Sequence, residues 1–423
     1  MKNWIKNFEE LTTTEERKIA FNIINSGLDA IDTAQVIAGG VKLENNILEI
    51  QGERFDLNNF KRIKVVGFGK ASCEAALALE KVLGDKIKEG AVIGLDKVTC
   101  EYIETFAGTH PLPSSINIPA GEKIYEIVNA SNEEDLIIAL VSGGGSALLC
   151  CSETECTQNI GLYNEFLKSG QTINEINTIR KHLSILKGGG LAKIAYPATL
   201  IGLIFSDIPG DNFGDVASGP TYKDETTMDD ALKIIAEHNL GRFDLIETPK
   251  ENKYFEKVHN FVLVSNTTAV LAMQEKSREL GFEVSVVSTT LYSEVDEALN
   301  KIFSIDHSGT VVLAAGEPKL EVTEQGGSGG RNLFMALRAV QKNLVGENEV
   351  FIALASDGMD NSDAAGAVVD TNTIEKIKKL NFDVDDYIKR FDAYPIFEKS
   401  GDMIMTGPTG ANVSDLMLVL KKK

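Results

Sequence analysis

Residues 137–149 read IIALVSGGGSALL, an apolar run that leads into three glycines and then into a stretch of small residues. The run is too short and too apolar for anything but a buried strand. Backbone N–H groups of the turn can converge on an anion, and a helix that begins near its last residue would point its positive end at the same place. A turn without a ligand explains the pattern equally well, so the neighbouring motifs must decide. The candidate anion cradle consists of Ser142, Gly143, Gly144, Gly145 and Ser146.

Short apolar runs of the same kind recur along the chain and alternate with segments of helix length. This alternation is typical of α/β proteins, in which helices cover both faces of mostly parallel sheets. The charged segment 222–259 divides the chain, so we expect a first domain over 1–240 and a second over 260–423 that ends in a helix after Gly410. The runs lie at 63–68, 91–95, 136–141, 199–205, 261–265, 284–288, 310–315 and 351–356.

Polar and glycine-rich segments directly follow these runs. Lys70 follows the first run in GFGKAS, Asp207 follows the fourth in SDIPGD, and Asp357 follows the last in SDGMD. Ligands of open α/β sheets bind at the carboxyl ends of the strands. Two domains with such edges predict a ligand cleft between them.

The composition limits the partners. Of 423 residues, 42 are Lys or Arg and 62 are Asp or Glu, which gives a formal net charge of −20. So acidic a chain is a poor candidate for binding nucleic acid or an anionic membrane. The N-terminus lacks the features of a signal peptide, and the five cysteines include no C-x-x-C pair. We therefore expect a cytoplasmic protein with free thiols.

Two cations stand in glycine-rich turns. Lys70, at the head of a predicted helix, is well placed to hold a phosphate or carboxylate as a point charge. Arg331 ends the run GGSGGR and precedes another predicted helix, and its guanidinium offers a bidentate fork for the same anions. A solvated surface lysine is the alternative for Lys70, and a flexible surface loop is the alternative for the segment that carries Arg331. A basic segment over 176–192 adds Arg180 and Lys187, which either face an anion or decorate a helix, and His182, which we expect to be a packed or capping histidine.

Acidic residues and a second tight turn complete the candidate site. The segment 207–219 holds Asp207 and Asp211, which could orient Mg²⁺ or take a proton, and it does not fit the EF-hand pattern. Asp357 belongs to a second acidic cluster after a strand. A polar loop with helix caps is the alternative for the segment 207–219. The turn before the last predicted element offers Gly407, Thr409, Gly410 and Asn412 as ligand or cap residues.

The sequence thus offers several turns that could bind anions, two cations and two acidic clusters. This combination suits phosphoryl transfer, which needs positioned reactants, neutralisation of the charge on the transferring phosphoryl group, and Mg²⁺. A Walker A sequence is absent because Ala71 follows Lys70, and the protein-kinase signatures are absent as well.

The ordered motifs resemble those of the class II glycerate 2-kinases, whose C-terminal half is called the MOFRL domain. The resemblance runs nearly end to end. It rests on GFGKAS at 67–72, HPLPSS at 110–115, LVSGGGSALL at 140–149, INTIRKHLSILKGGGLA at 176–192, SDIPGD at 206–211, ASGPT at 217–221, GGSGGRN at 326–332, ASDGMDNSDAAGA at 355–367 and GPTGANVSDL at 407–416.

This resemblance implies phosphorylation of D-glycerate at its 2-hydroxyl by ATP and Mg²⁺, which gives 2-phosphoglycerate. It also implies a Rossmann-like N-terminal domain and a smaller α/β C-terminal domain. The family's essential lysine and arginine fall on Lys70 and Arg331, which we expect to hold the substrate carboxylate and the transferring phosphoryl group. Asp207 is the expected proton acceptor. We expect Asp357 and Asp211 to place Mg²⁺, and the turns at 142–146 and 407–412 to bind the nucleotide.

Two other functions stay open at this point. Gly67-x-Gly69-x-x-Ser72 is a partial dinucleotide fingerprint, which would fit an NAD(P)H-dependent hydroxypyruvate or tartronate-type oxidoreductase. A non-catalytic module that binds a sugar acid or nucleotide would explain the anion-receptive turns but not the acidic clusters. D-glycerate and ATP are the expected ligands, and the sequence leaves open whether the chain forms a homodimer.

Overall fold

The structure is a computed structural model that describes residues 3–169, 172–208, 210, 212–322 and 326–422. The chain splits into two compact units, each made of more than one segment. The first unit comprises Thr33–Ser206 and Asp211–Leu263, and the second comprises Met1–Asp32, Asp207–Gly210 and Val264–Lys423. The split differs from the sequence-predicted 1–240 and 260–423 chiefly because the N-terminal residues pack with the C-terminal half.

Fifteen strands lie within the described residues. They are β1 Val41–Glu44, β2 Ile47–Ile50, β3 Glu53–Asp56, β4 Arg62–Phe68, β5 Ile87–Gly94, β6 Glu104–Ala107, β7 Asp135–Ser142, β8 Thr199–Phe205, β9 Val258–Val264, β10 Glu283–Leu291, β11 Thr310–Gly316, β12 Glu349–Ala355, β13 Gly366–Val369, β14 Met403–Ile404 and β15 Asp415–Lys421.

The helices in the same part of the chain are α1 Phe8–Leu11, α2 Glu15–Ala30, α3 Thr33–Gly40, α4 Ser72–Leu83, α5 Ile118–Asn129, α6 Gly145–Leu148, α7 Glu153–Ser169, α8 Ile173–His182, α9 Gly190–Ala195, α10 Met228–Glu237, α11 Asn266–Glu279, α12 Val295–Ile302, α13 Arg331–Gln341, α14 Thr371–Lys379, α15 Val384–Lys389 and α16 Tyr394–Ser400. A 3-10 segment over Phe213–Ser218 contributes to the candidate site. No helix among the described residues has the length and apolar character that a membrane span requires.

The first unit contains a sheet with the strand order β6-β5-β4-β7-β8-β9. β4 pairs in parallel with both β5 and β7, and β5–β6 and β7–β8 are parallel as well. Every residue of β7 is buried, as expected for a strand with helices on both faces. The carboxyl ends of β4, β6 and β7 therefore lie at one edge, and the predicted α/β class is confirmed.

The second unit contains a sheet with the strand order β10-β11-β15-β12-β13-β14. β10 and β11 are parallel, but β15 runs antiparallel to both of its neighbours, β11 and β12. The prediction of a C-terminal helix was wrong, because the last apolar run forms this central strand. All seven of its residues are buried. This is expected for a strand that lies between two partner strands and has both faces covered.

A buried ion-pair cluster attaches the N-terminal residues to the second unit. Arg17 of α2 is fully buried and donates to both carboxylate oxygens of Asp370, at 2.7 and 2.8 Å, and to Asp402 at 2.8 Å. Gly27 of the same helix lets α11 approach, since a Cβ there would lie 2.7 Å from the Met273 side chain. These contacts explain why residues before 33 belong with the C-terminal half.

The cysteines depart from the expectation of free thiols at one pair. A disulfide joins Cys150 and Cys156, while Cys73, Cys100 and Cys151 are free. α7 begins between the paired residues, which carries Cys156 back toward Cys150 within its first turn.

Candidate functional site

Lys70 lies directly against the glycine turn that follows β7. Its backbone N–H donates to the Gly143 carbonyl at 2.8 Å, which joins the ends of β4 and β7. Gly69, with φ of +125°, permits this approach, because any side chain there would overlap Ser142. The Lys70 Cγ lies 3.1 Å from the point that a Cβ on Gly144 would occupy. The lysine side chain thus lies against the turn at Gly144.

The turn itself divides into structural and accessible groups. The buried Ser142 hydroxyl accepts from the Ala71 N–H at 3.1 Å and lies 3.2 Å from the Ser72 hydroxyl, so it supports the start of α4. The Ser146 hydroxyl lies 2.8 Å from that of Ser218. Among the described residues, the N–H groups of positions 144, 145 and 146 have no hydrogen-bond acceptor. Unpaired N–H groups beside a lysine side chain form a surface suited to an anion.

The basic segment behind this turn is largely structural. Lys187 is fully buried and donates to Glu155 at 2.6 Å and to the Leu149 carbonyl at 2.7 Å. His182 is also buried, and its Nδ1 lies 2.8 Å from the Thr178 carbonyl. Arg180 is partly buried, and burial lowers its pKa to about 10. Of the three, only Arg180 has no ion pair with a carboxylate in the described parts of the chain.

Arg331 is the first residue of α13 and is held by two carboxylates of the second unit. Its Nε donates to Asp415 Oδ2 at 2.6 Å, and its guanidinium lies 3.6 Å from Glu317 Oε2. Burial opposes its charge, but Asp415 and Glu317 together raise the pKa of Arg331 above its ordinary value. The arginine is therefore a fixed cation with part of its fork still exposed.

The antiparallel course of β15 brings these groups together. Asp415, the first residue of β15, lies opposite Gly316 at the end of β11 and opposite Ala355 at the end of β12. Glu317 and Asp357 follow those two strands. Complete burial raises the pKa of Asp415, and the charge of Asp357 raises it further. One strand that starts where its neighbours end thus builds an edge at which Asp415 and Glu317 contact Arg331 and the charge of Asp357 lies near Asp415.

Asp360 caps α13 rather than facing a ligand. One of its oxygens accepts from the Asn332 N–H at 3.0 Å, and the other accepts from the Leu333 N–H at 2.8 Å. Burial raises the pKa of Asp360 to about 6 in spite of these bonds. The cap fixes the helix on which Arg331 stands.

The turn at 407–412 packs on the loop that follows β12. The Thr409 N–H donates to the Asp357 carbonyl at 3.1 Å, and its hydroxyl donates to the Ser356 carbonyl at 2.7 Å. Asn412 Oδ1 accepts from the Ser414 N–H at 3.4 Å. Thr409 is buried, whereas Gly407, Gly410 and Asn412 are partly exposed beside Asp357.

Asp207 belongs to the second unit, together with Arg331. Burial raises the pKa of Tyr292 to about 12, and the charges of Glu317 and Asp207 contribute to this rise. Asp207 therefore lies within electrostatic reach of the same tyrosine as Glu317. Asp211, the other predicted acidic residue of this segment, lies outside the described residues.

The structure collects the predicted residues in two clusters, one in each unit. Lys70 and the turn at 142–146 form the first; Arg331, Asp357, Asp207 and the turn at 407–412 form the second. Sequence reasoning assigned no role to Asp415, Glu317 or His110. The sequence signal for Glu317 was its place after a strand, whereas Asp415 and His110 stand in motifs that carried the family resemblance.

Comparisons with known proteins identify both halves of the chain. A family model described as a domain of unknown function, DUF4147, matches residues 19–248, and the MOFRL family model matches residues 310–415. The chain is 32% identical to a protein named glycerate 2-kinase from Pyrococcus horikoshii, over 96% of this chain and 97% of that protein. It is 35% identical to a putative hydroxypyruvate reductase from Agrobacterium vitis, over 85% and 87%. The crystal structure of a glycerate kinase from Thermotoga maritima superimposes with a TM-score of 0.83 at 31% identity, over 96% of this chain and 99% of that one.

Proposed function

The chain belongs to the glycerate kinase family with a C-terminal MOFRL domain, and from this premise we propose that it transfers a phosphoryl group from ATP to the 2-hydroxyl of D-glycerate. The products are 2-phosphoglycerate and ADP. The observation that carries the proposal is the contact between Lys70 and the glycine turn, since a cation beside unpaired N–H groups suits the negative charge of a phosphoryl group in transfer.

In the first unit, Lys70 and the N–H groups of positions 144–146 bind an oxyanion. Gly143 contributes its carbonyl to the placement of Lys70, and Ser142 and Ser146 support the shape of the turn. These groups cannot move far, because β4 and β7 are neighbours in a buried sheet. Fixed donors stabilise charge that develops during transfer without reorganising.

In the second unit, Arg331 is the second anion-binding cation. Asp415 occupies its Nε, which leaves terminal guanidinium N–H groups to hold a carboxylate or phosphoryl oxygen. Asp207 accepts or orients the proton of the 2-hydroxyl, and its place after β8 supports this role. The turn with Gly407, Thr409, Gly410 and Asn412 contacts the nucleotide.

Mg²⁺ belongs to the same proposal, and its donor chemistry fits the residues present. Asp357 offers a partly exposed carboxylate near that of Asp415. Mg²⁺ commonly takes one or two carboxylates and completes its shell with phosphate oxygens and water. No group of three His, Cys, Asp or Glu suited to a metal occurs in the described residues. When bound, Mg²⁺ would neutralise charge on the donor phosphates, and Asp211 is the further candidate ligand.

A coupled assay tests the proposal. Wild-type protein, ATP, Mg²⁺ and D-glycerate are mixed with enolase in the absence of phosphoglycerate mutase, and phosphoenolpyruvate is followed by its absorbance. Immediate formation supports attack by the 2-hydroxyl. ADP release without phosphoenolpyruvate indicates phosphorylation at another oxygen, and no glycerate-dependent ADP release contradicts the kinase proposal.

The reductase alternative has its own observation, the similarity to a putative hydroxypyruvate reductase. Against it, Gly69 is needed for contact with Ser142, and Ser72 stands where the dinucleotide fingerprint has its third glycine. Steady oxidation of NADH by hydroxypyruvate would support this alternative instead. Glycerate-dependent ADP release in the coupled assay would contradict a non-catalytic binding module.

Cellular setting and assembly complete the proposal. We place the protein in the cytoplasm, where ATP is available, and thiol alkylation in fresh lysate tests whether Cys150 and Cys156 are oxidised there. A homodimer is the assembly to check, by light scattering during size-exclusion chromatography.

A further inference from the structure

His110 lies on the glycine turn beside Lys70. The Cδ2 and Nε2 atoms of His110 and the Cγ atom of Lys70 all lie 3.1 Å from the point that a Cβ on Gly144 would occupy. The imidazole edge that carries Nε2 and the lysine chain thus converge on one glycine. Gly144, with φ of +78°, adopts a backbone conformation that favours glycine, and a Cβ there would meet both side chains.

The loop that carries His110 is fixed by a buried side chain. Asn117 is fully buried and donates to the carbonyls of Thr109 at 3.2 Å and Ala147 at 3.1 Å, and its Oδ1 accepts from the Thr109 N–H at 2.8 Å. One amide therefore ties the residue before His110 to α6, the helix that follows the turn. The imidazole is positioned on a rigid support.

Packing beneath the loop restricts it further. A Cβ on Gly108 would lie 2.7 Å from Ile93 Cδ1 and 2.8 Å from Leu148 Cδ2, and the Gly108 N–H donates to the Gly94 carbonyl at 2.9 Å. The chain from β6 to His110 thus follows the ends of β5 and α6 closely. His110 is nevertheless partly exposed.

We propose that His110 is a further ligand-binding residue, whose Nε2 hydrogen-bonds the same oxyanion that Lys70 binds over Gly144. The oxyanion is the carboxylate of D-glycerate or a phosphate of the nucleotide, and this inference rests on the function proposed above. An imidazole and a lysine side chain that converge on one glycine can hold an oxyanion, the imidazole by a directed hydrogen bond and the ammonium by its charge.

Calorimetric binding of D-glycerate alone and of ADP alone tests the inference without turnover. The variants are His110→Ala, His110→Gln, Lys70→Ala and the double variant His110→Ala/Lys70→Ala. His307→Gln, an exposed histidine of the second unit, is the matched control. Thermal unfolding of each variant shows that it is folded, and the volume-conserving His110→Gln serves if His110→Ala is unstable.

The expected result is a loss of about tenfold or more in affinity for one probe, the same probe that Lys70→Ala weakens, with less than additive loss in the double variant. Loss for D-glycerate assigns the oxyanion to the acceptor, and loss for ADP assigns it to the nucleotide. The control changes neither affinity. In the enolase-coupled assay, we expect His110→Ala to raise the KM of that same substrate by a larger factor than it lowers kcat.

Three results overturn the inference: affinities within twofold of wild type, loss for a probe that Lys70→Ala does not affect, or a wild-type protein that binds neither probe. The enolase-coupled assay of the wild type judges the proposed function separately. A protein that binds the probes without forming 2-phosphoglycerate fails that proposal, while the binding data still decide the role of His110.

Discussion

Arg331 and Asp415 are 84 residues apart in the chain, and a 2.6 Å hydrogen bond joins the guanidinium Nε to the carboxylate. Each is the first residue of its element, Arg331 of α13 and Asp415 of β15. The contact fixes the direction of the guanidinium, and it leaves the terminal N–H groups for a ligand. Its position at the ends of β11 and β12 makes it the centre of the second cluster.

Replacing Arg331 by Ala should lower kcat/KM for D-glycerate by about a hundredfold or more, because a charge-assisted bidentate contact in a transition state contributes roughly 3 kcal/mol or more. Arg331→Lys should recover little, since an ammonium cannot span both Asp415 and a ligand. Arg338→Ala on the same helix, which removes a pair with Asp296, is the control and should retain most activity. Equal activity of the two alanine variants would refute a role for Arg331 in the reaction.

Lys70→Ala should abolish detectable turnover while the fold is kept, because the side chain lies on the turn and its backbone N–H, which bonds Gly143, is unaffected. Circular dichroism and the enolase-coupled rate measure the two effects. Lys81→Ala, an exposed lysine of α4, is the matched control. Near-full activity of Lys70→Ala would show that the first cluster is not part of the active site.

The two clusters differ in how far the sequence could predict them. Lys70 and the turn at 142–146 follow a local rule, since parallel strands end at the same edge and their following residues meet there. Asp415 could not be placed in this way. DLMLVLK contains five consecutive apolar residues and is compatible with helix or strand, and only its antiparallel pairing between β11 and β12 brings its first residue to the carboxyl edge.

The division into units shows the same limit. The amphipathic helix α2 is predictable from local sequence, but its partner is not. Arg17 reaches Asp370 and Asp402, which are 353 and 385 residues away. Such long-range ion pairs leave no periodic signal in the sequence, so a boundary drawn at the charged segment 222–259 separates α2 from the unit with which it packs.

Arg17→Met should destabilise the second unit by about 3–5 kcal/mol, because it leaves the buried carboxylates of Asp370 and Asp402 without their shared cation. Urea unfolding, followed for the transition of that unit, measures the loss. Arg54→Met removes an exposed pair with Glu49 and should change stability by less than about 1 kcal/mol. A small effect of Arg17→Met would mean that the N-terminal helix adds little to this unit.

Gly145→Ala should destabilise the first unit by about 1–3 kcal/mol and lower turnover, because its Cβ would lie 2.5 Å from the Ala217 Cβ and push the turn away from the 3-10 segment. Gly161→Ala in α7 is the opposite case. A Cβ there meets nothing within 4 Å, so it should stabilise the helix by up to about 1 kcal/mol. Thermal unfolding of both variants checks the signs, and a stable, fully active Gly145→Ala would contradict close packing beneath the turn.

The contribution of Asp360 to the free energy of unfolding should fall as the pH rises. A salt-bridged acid with a lowered pKa shows the opposite trend. Burial raises its pKa from 3.8 to about 6, so between these values the folded protein binds a proton that the unfolded chain has released. This contribution to stability is present below about pH 4 and is lost as the pH rises through about 6.

Other carboxylates have lowered pKa values and act in the reverse sense, so the quantity to measure is the difference between wild type and Asp360→Asn. Two pKa units correspond to about 3 kcal/mol, and the stability advantage of the wild type should shrink by up to that amount between pH 4 and pH 7. Urea unfolding of both proteins at several pH values gives the difference. An advantage that is constant or grows with pH would show that the capped end of α13 carries an ordinary, low-pKa carboxylate.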